Sequence, residues 1–204
     1  MKIRDSKSLL IIFVRNPVRG KVKTRLAATI GADKALEVYL LLLQRTIAVT
    51  RPLEVDKVVY ASDTLELPEA WEKTGYPQQL QQGQDLGARM AQAIAAAFAQ
   101  GYSRVGIMGS DCYELTTDIL RQAYELLARN ELVIGPATDG GYYFLGLSRF
   151  HAGLFQNKAW STDAVLQQTL ADADRLQLQV ALLPELSDVD EEKDLVTIPG
   201  FHAG

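Results

Sequence analysis

Four short apolar runs constrain this chain more than any other feature: LLIIFV (9–14), KVVYA (57–61), RVGIM (104–108) and ELVIG (131–135). Runs of this length, apolar at successive rather than alternate positions, suit strands covered on both faces. The stretches between them carry helix signals. Residues 33–50 are good helix formers with Pro52 just beyond; a second helix is capped by Asp85 and closed by Gly101; a third, over 116–129, opens on Thr and Asp. Further strands are expected at 142–147 and 179–183, with a helix over 162–170 capped by Ser161. An irregular segment rich in Pro, Gly and Gln should hold a short helix near Trp71 and a short strand near Gln79. This alternation predicts an α/β protein, a three-layer α/β/α sandwich around a mostly parallel, doubly wound sheet.

At 204 residues and 48% hydrophobic, the chain suits a single domain spanning 1–204. A net charge of −4 argues against broad nucleic-acid binding, which draws on a domain-wide basic field, but leaves room for a local anion site. Cys112 is the sole cysteine, so neither an intrachain disulfide nor a thiolate zinc cluster is expected, and a reducing cytoplasm is the natural location. No apolar run approaches the roughly 20 residues of a membrane span, and MKIRDSKS lacks a signal-peptide pattern, so no membrane partner is expected.

Doubly wound sheets bind ligands beyond the carboxyl ends of their strands, which directs attention to the loops after the apolar runs. The first, RNPVRGKVKTR, places Arg15, Arg19, Lys21, Lys23 and Arg25 within eleven residues with no carboxylate among them. Shaped by Pro17 and Gly20, it can hold several negative charges at once, with backbone N–H groups beside Gly20 approaching phosphate oxygens. Neither the P-loop nor the GxGxxG spacing is present. An exposed basic loop is the plain alternative.

The loop after RVGIM begins Gly109-Ser110-Asp111-Cys112, so a carboxylate leaves an apolar strand at the rim of the crevice, where Mg²⁺ needs oxygen ligands. A partner is available late in the chain, in Ser187-Asp188-Val189-Asp190. Asp111 with either Asp188 or Asp190 would suffice, because Mg²⁺ fills its remaining positions with phosphate and water. Helix capping by Asp111 and a solvated acidic tail are the alternatives. Asp139-Gly140-Gly141 joins a carboxylate to two flexible residues and reads equally as a tight turn. Arg89, one turn into its helix, either pairs with Asp85 or meets a ligand. Trp160 is expected in the core or against an acceptor pocket. Cys112 has no His neighbour in sequence to activate it.

FVRNPVRGKVKTRL, QGQDLGARM, GSDCYEL, ATDGGYYFLGL, AWST and SDVDEEKDL, in that order, resemble the motifs of the DUF2064 family. That family is related to the nucleotide-diphospho-sugar transferase (GT-A) superfamily, which includes MobA-like and 2-phospholactate guanylyltransferase-type nucleotidyltransferases. The resemblance runs from about residue 10 to about residue 195. It implies a nucleotide over the strand ends, with Arg15, Gly20, Lys21, Lys23 and Arg25 in a phosphate-binding loop. It implies Gly83, Asp85, Leu86 and Gly87 near the base, and Asp139, Gly140 and Gly141 facing the acceptor. It further implies Asp111 and Asp188 or Asp190 as ligands of Mg²⁺, or of Mn²⁺ in its place. Two departures stand out: Tyr113 follows SDC where proline is usual, and Glu191-Glu192 replace Thr-Pro after the late DxD.

The dense cationic loop favours nucleotidyl transfer from an NTP to a small phosphorylated or oxyanion acceptor, with Lys23, Arg25 and Asp111 as the catalytic residues. Glycosyl transfer from a nucleotide-sugar, with Asp139 as base, is the alternative enzyme. A nucleotide-binding regulatory protein without catalysis is the third reading. Oligomeric state is not legible.

Overall fold

The computed structural model describes residues 7–200. Its elements follow in the order β1 (Ser8–Val14), α1 (Thr24–Ile30), α2 (Ala32–Thr50), β2 (Asp56–Ala61), α3 (Glu69–Glu72), β3 (Gln78–Leu80) and α4 (Leu86–Ala99). They continue with β4 (Arg104–Met108), α5 (Thr117–Leu126), β5 (Leu132–Pro136), β6 (Tyr142–Leu147), α6 (Val165–Arg175) and β7 (Val180–Leu182). The seven strands form one sheet in the order β3-β2-β1-β4-β6-β5-β7. β1 is parallel to β2 and β4, and β7 is parallel to β5, while β6 runs antiparallel to both β4 and β5.

The apolar run of β1 is covered on both faces, as its composition requires. Leu10, Ile12 and Val14 pack with Tyr39, Leu43 and Ile47 of α2, Trp71 of α3 and Leu120 and Tyr124 of α5. Leu9, Ile11 and Phe13 pack on the opposite face with Met90, Ala93 and Ile94 of α4 and Ala173 of α6. This is the expected three-layer sandwich. A third apolar cluster lies outside it, joining Leu26 of α1 and Ala35, Val38 and Leu42 of α2 to Val189, Leu195 and Ile198 near the end of the chain.

Local signals place most element ends. The Asp85 carboxylate accepts from the Ala88 N–H at 2.8 Å and Gly101 takes φ +90°, so α4 begins and ends where its capping residues direct. Thr116 caps α5 through the Ile119 N–H. The last helix corrects the sequence expectation: it starts at Val165 rather than 162 and runs to Arg175. Ser161 sits at φ +64°, outside the extended conformation an N-cap needs, so it is not the cap. The first turn of α6 is instead tied by tertiary contact to the turn before β6, with the Leu166 N–H donating to the Gly140 carbonyl at 2.9 Å.

Candidate functional site

The parallel strands β1, β2 and β4 end at the same edge of the sheet, and β6, being reversed, begins there. Between them opens a cleft of about 1040 Å³. Its floor is built by Phe13, Val14, Ile107, Met108 and Tyr142; its walls come from the loops after β1 and β2, the first turn of α4, and the loop from Gly109 to Cys112.

The five cations of the first loop do not act as one cluster. Arg19 points away and forms a two-pronged pair with Asp33 of α2, Nε to Oδ1 at 2.5 Å and Nη2 to Oδ2 at 2.8 Å, in solvent. Arg15 and Lys21 line the cleft and make no ion pair among the described residues. Gly20 and Arg25 are exposed and lie outside the lining. The turn at Gly20 (φ +74°) uses its own backbone, since the Lys21 N–H donates to the Val18 carbonyl at 2.9 Å; that group does not face the cleft as a free donor.

Lys23 is the exception in the loop. Its Nζ lies 2.6 Å from Asp111 Oδ1 and 2.9 Å from Asp190 Oδ1, and its side chain is 4% exposed. Burial alone would lower its pKa, but the two carboxylates outweigh burial and raise it above the usual lysine range. Its backbone is left-handed at φ 47°, ψ 48°, just before α1. The amino-terminal loop and two of the acidic residues therefore meet, although they are up to 167 positions apart in sequence.

The late acids are tied to the Asp111 loop by their backbone. The Val189 N–H donates to the Asp111 carbonyl at 2.9 Å, and Val189 is fully buried in the third apolar cluster. Asp190 shares the Lys23 ammonium with Asp111, and Asp188 lies near enough to feel the Asp111 charge. Asp188 lines the cleft; Asp190 is held by Lys23 and does not. Burial, then the charges of Asp111 and Asp139, push the Asp188 carboxyl up to about 8. Such crowding of carboxylates is the chemistry a hard divalent cation relieves. Among the described residues no three His, Cys, Asp or Glu side chains group closely enough to cage a metal alone. A site with two carboxylates completed by phosphate and water fits the residues present. Cys112, beside Asp111, is pushed up to about 12 by burial and then by Asp188, which keeps its thiol protonated and unreactive.

The remaining sequence candidates separate. Asp85 and Leu86 line the cleft, Gly83 and Gly87 do not. Asp85 is occupied as a helix cap, so Arg89 does not pair with it; the Arg89 Nε donates to the Gly83 carbonyl at 3.1 Å and the residue lines the cleft. Gly87 is set by packing: a Cβ there would lie 2.2 Å from the Trp160 indole. Asp139, Gly140 and Gly141 form a tight turn outside the lining, with the Gly141 N–H donating to Asp139 Oδ1 at 2.9 Å. Gly140, at φ +85°, leaves no room for a side chain against the Asp163 backbone.

Asn16 and Tyr39, both lining the cleft, are not among the sequence candidates. Asn16, buried, donates from Nδ2 to Thr64 O at 3.0 Å and Glu66 O at 3.2 Å, and its Oδ1 accepts from the Asp63 and Thr64 N–H groups, fastening the loop after β2 to the loop after β1. The Tyr39 hydroxyl accepts from the Arg15 N–H at 2.8 Å, donates to the Arg15 carbonyl, and lies 3.3 Å from Ser110 Oγ. It thus joins the basic loop to the Asp111 loop. Asn16 is a neutral residue inside a motif whose local signal is its charge. Tyr39 occupies a helix position whose hydroxyl partners are distant in sequence.

The DUF2064 family, described as an uncharacterized protein conserved in bacteria, matches residues 45–162. No curated protein matches the chain significantly. Among solved structures, a protein from Desulfovibrio desulfuricans G20, provisionally named a nucleotide-diphospho-sugar transferase, superposes with a TM-score of 0.87. The two are 36% identical over 93% of this chain and 85% of that one. A CMP:2-keto-3-deoxy-manno-octonic acid synthetase solved with CTP gives 0.60 at 9% identity over 95% of this chain and 97% of that one. Rv0371c from Mycobacterium tuberculosis H37Rv, solved with manganese, gives 0.57 at 15% identity, covering 92% and 96%. At such identities the last two share the fold alone. With more than half its length matched by the family and 93% of it superposed on a protein 36% identical, the chain belongs to the DUF2064 family and has the nucleotide-diphospho-sugar transferase fold, a fold of transferases.

Proposed function

We propose that the protein is a divalent-metal-dependent transferase that moves a nucleotidyl group from an NTP to a small phosphorylated or oxyanion acceptor. One observation carries the reading: Lys23 of the basic loop stands between Asp111 and Asp190, beside a cleft lined by Arg15, Lys21 and Asp188. Cationic and carboxylate groups on adjoining walls are what a metal-bound polyphosphate requires, since neither charge type alone binds both parts. The nucleotide-sugar transferase name of the Desulfovibrio relative, and the CTP and manganese of the more distant structures, agree with a nucleotide donor and a divalent ion.

In this reading Arg15 and Lys21 bind the phosphates. Lys23 and Arg25 stabilise charge as the acceptor oxygen bonds to the α-phosphorus and the bond to the β-phosphate oxygen breaks, releasing pyrophosphate. Arg25 reaches the phosphates only if it turns inward from its exposed position. Asp111, with Asp188 facing the cleft and Asp190 paired to Lys23, would hold Mg²⁺ or Mn²⁺, an ion that would neutralise phosphate charge and polarise the phosphoryl oxygens. An ionised acceptor needs no general base.

Thermal stabilisation by Mg²⁺ with each NTP, and separately with UDP-, GDP- and ADP-sugars, tests the proposal. Stabilisation by an NTP, followed by pyrophosphate release in the presence of an acceptor, is expected. Preference for a nucleotide-sugar would replace the reading with glycosyl transfer, and binding without turnover over a broad acceptor panel would replace it with a regulatory role.

A further inference from the structure

We propose that Lys23 has two stations, and that its transfer from the carboxylates to the incoming polyphosphate makes metal binding depend on nucleotide. The inference rests on the reading of Asp111 and Asp190 as metal ligands, and concerns how that site is gated.

The first station is the one observed. The ammonium sits between Asp111 Oδ1 and Asp190 Oδ1 at 2.6 and 2.9 Å, with only 4% of the side chain exposed. A divalent ion held by the same two carboxylates would take the space the Nζ fills. Two cations cannot occupy that gap together, so Lys23 and the metal compete for it.

The ammonium cannot leave to nothing, because a buried charge without a partner costs several kcal/mol. A second anion must receive it. Asp111, which the Lys23 Nζ contacts at 2.6 Å, lines the same cleft as Arg15 and Lys21, so phosphate groups bound there are anions that can receive the ammonium. The backbone on either side is fixed, with Val22 and Leu26 both buried. The change is therefore a rotation of the side chain, with no movement of the loop. The left-handed backbone at Lys23, an unfavourable conformation for a residue with a side chain, is the kind of local strain found where function over-determines geometry. Asp190 becomes a metal ligand only after the lysine departs, while Asp188 faces the cleft throughout.

The consequence is ordered assembly: without nucleotide the carboxylates are masked by an internal cation, and with it they open as the phosphates arrive. A free divalent ion is kept from a site it could not use.

The full-length protein is titrated with Mn²⁺, read by electron paramagnetic resonance and water-proton relaxation, alone and with each of ATP, CTP, GTP and UTP. Wild type, Lys23→Met, Lys23→Arg and Asp111→Asn are compared after circular dichroism confirms folding. Wild type should bind Mn²⁺ weakly alone and at least about tenfold more tightly with the preferred NTP. Lys23→Met should bind Mn²⁺ alone at least about tenfold more tightly than wild type, a conservative figure for removing one close competing charge, and should show a smaller nucleotide enhancement, the part that the phosphate ligands supply. Lys23→Arg should restore the weak binding, and Asp111→Asn should lose the metal in every state. Equal nucleotide-free affinity of wild type and Lys23→Met overturns the gate. Should Lys23→Met fail to fold, equal Mn²⁺ affinity of wild type with and without nucleotide overturns it alone. If no form binds Mn²⁺ under any condition, the metal assignment itself falls and the gate falls with it.

Discussion

At the scale of single residues, the cleft is shaped by groups whose role is to hold others. Tyr39 is the clearest: one hydroxyl serves the Arg15 N–H, the Arg15 carbonyl and Ser110, and burial pushes it up to about 12, so it stays a neutral donor and acceptor at physiological pH. Tyr39→Phe keeps the ring in the core but strands the Arg15 N–H, which should cost about 1–3 kcal/mol in urea unfolding. It should also shrink the thermal stabilisation given by metal and nucleotide, since Arg15 and Asp111 lose their common tether. Gly87 is a matching case in packing. An added methyl would meet the Trp160 ring at 2.2 Å, so the indole must shift as a rigid unit. Gly87→Ala should therefore cost about 1–3 kcal/mol and shift tryptophan emission as the ring is displaced. Neither role is legible in sequence, where Tyr39 is one position of a helix and the resemblance places Gly87 near the base.

At the scale of elements, what sequence shows well is whatever local chemistry decides. The strands β1, β2 and β4 announce themselves because both faces are apolar, and α4 because Asp85 and Gly101 bracket it. The start of α6 is decided by contacts at long range, so the Ser161 signal misleads. Lys158, with 1% side-chain exposure, pairs with Asp172 of α6, which also accepts from Arg175 at 2.6 Å, and this pair anchors the segment leading into the helix. Burial alone would raise the Asp172 pKa, but Lys158 and Arg175 outweigh it and hold it below the ordinary carboxylate range. A depressed carboxylate stabilises the fold above its unfolded pKa, and that contribution disappears as pH falls through the folded value. Stability should thus decline on acidification below about pH 4, and Asp172→Asn should flatten that part of the profile. At neutral pH the same substitution leaves Lys158 buried without a counter-charge, and urea unfolding should show a loss of about 3–5 kcal/mol.

At the scale of the molecule, the site depends on a closure that no local pattern reveals. The alternation of strands and helices predicts the layers, and the ligand-binding edge follows from them, but the reversal of β6 and the course of the chain after β7 do not. That last segment decides where Asp190 lies. Asp194 Oδ2 accepts from the Asp190 and Glu191 N–H groups at 3.0 and 2.8 Å, fixing the backbone that carries the Asp190 carboxylate. Val189 and Leu195 then anchor the segment among Leu26 of α1 and Val38 and Leu42 of α2. Because α1 begins immediately after Lys23, the same apolar cluster positions both partners of the Lys23–Asp190 pair. Leu195, 2% exposed, should therefore affect stability and ligand binding together. Leu195→Ala should lower the unfolding free energy by about 2–5 kcal/mol, the range for truncating a buried leucine. It should also reduce the shift in melting temperature produced by Mn²⁺ with nucleotide, since Asp190 is no longer held opposite Asp111. Its neighbour Val196 is 85% exposed, and Val196→Ala should stay within about 0.5 kcal/mol with the ligand shift intact. Equal ligand shifts in the two variants would show that the tail stabilises the fold without placing the carboxylate.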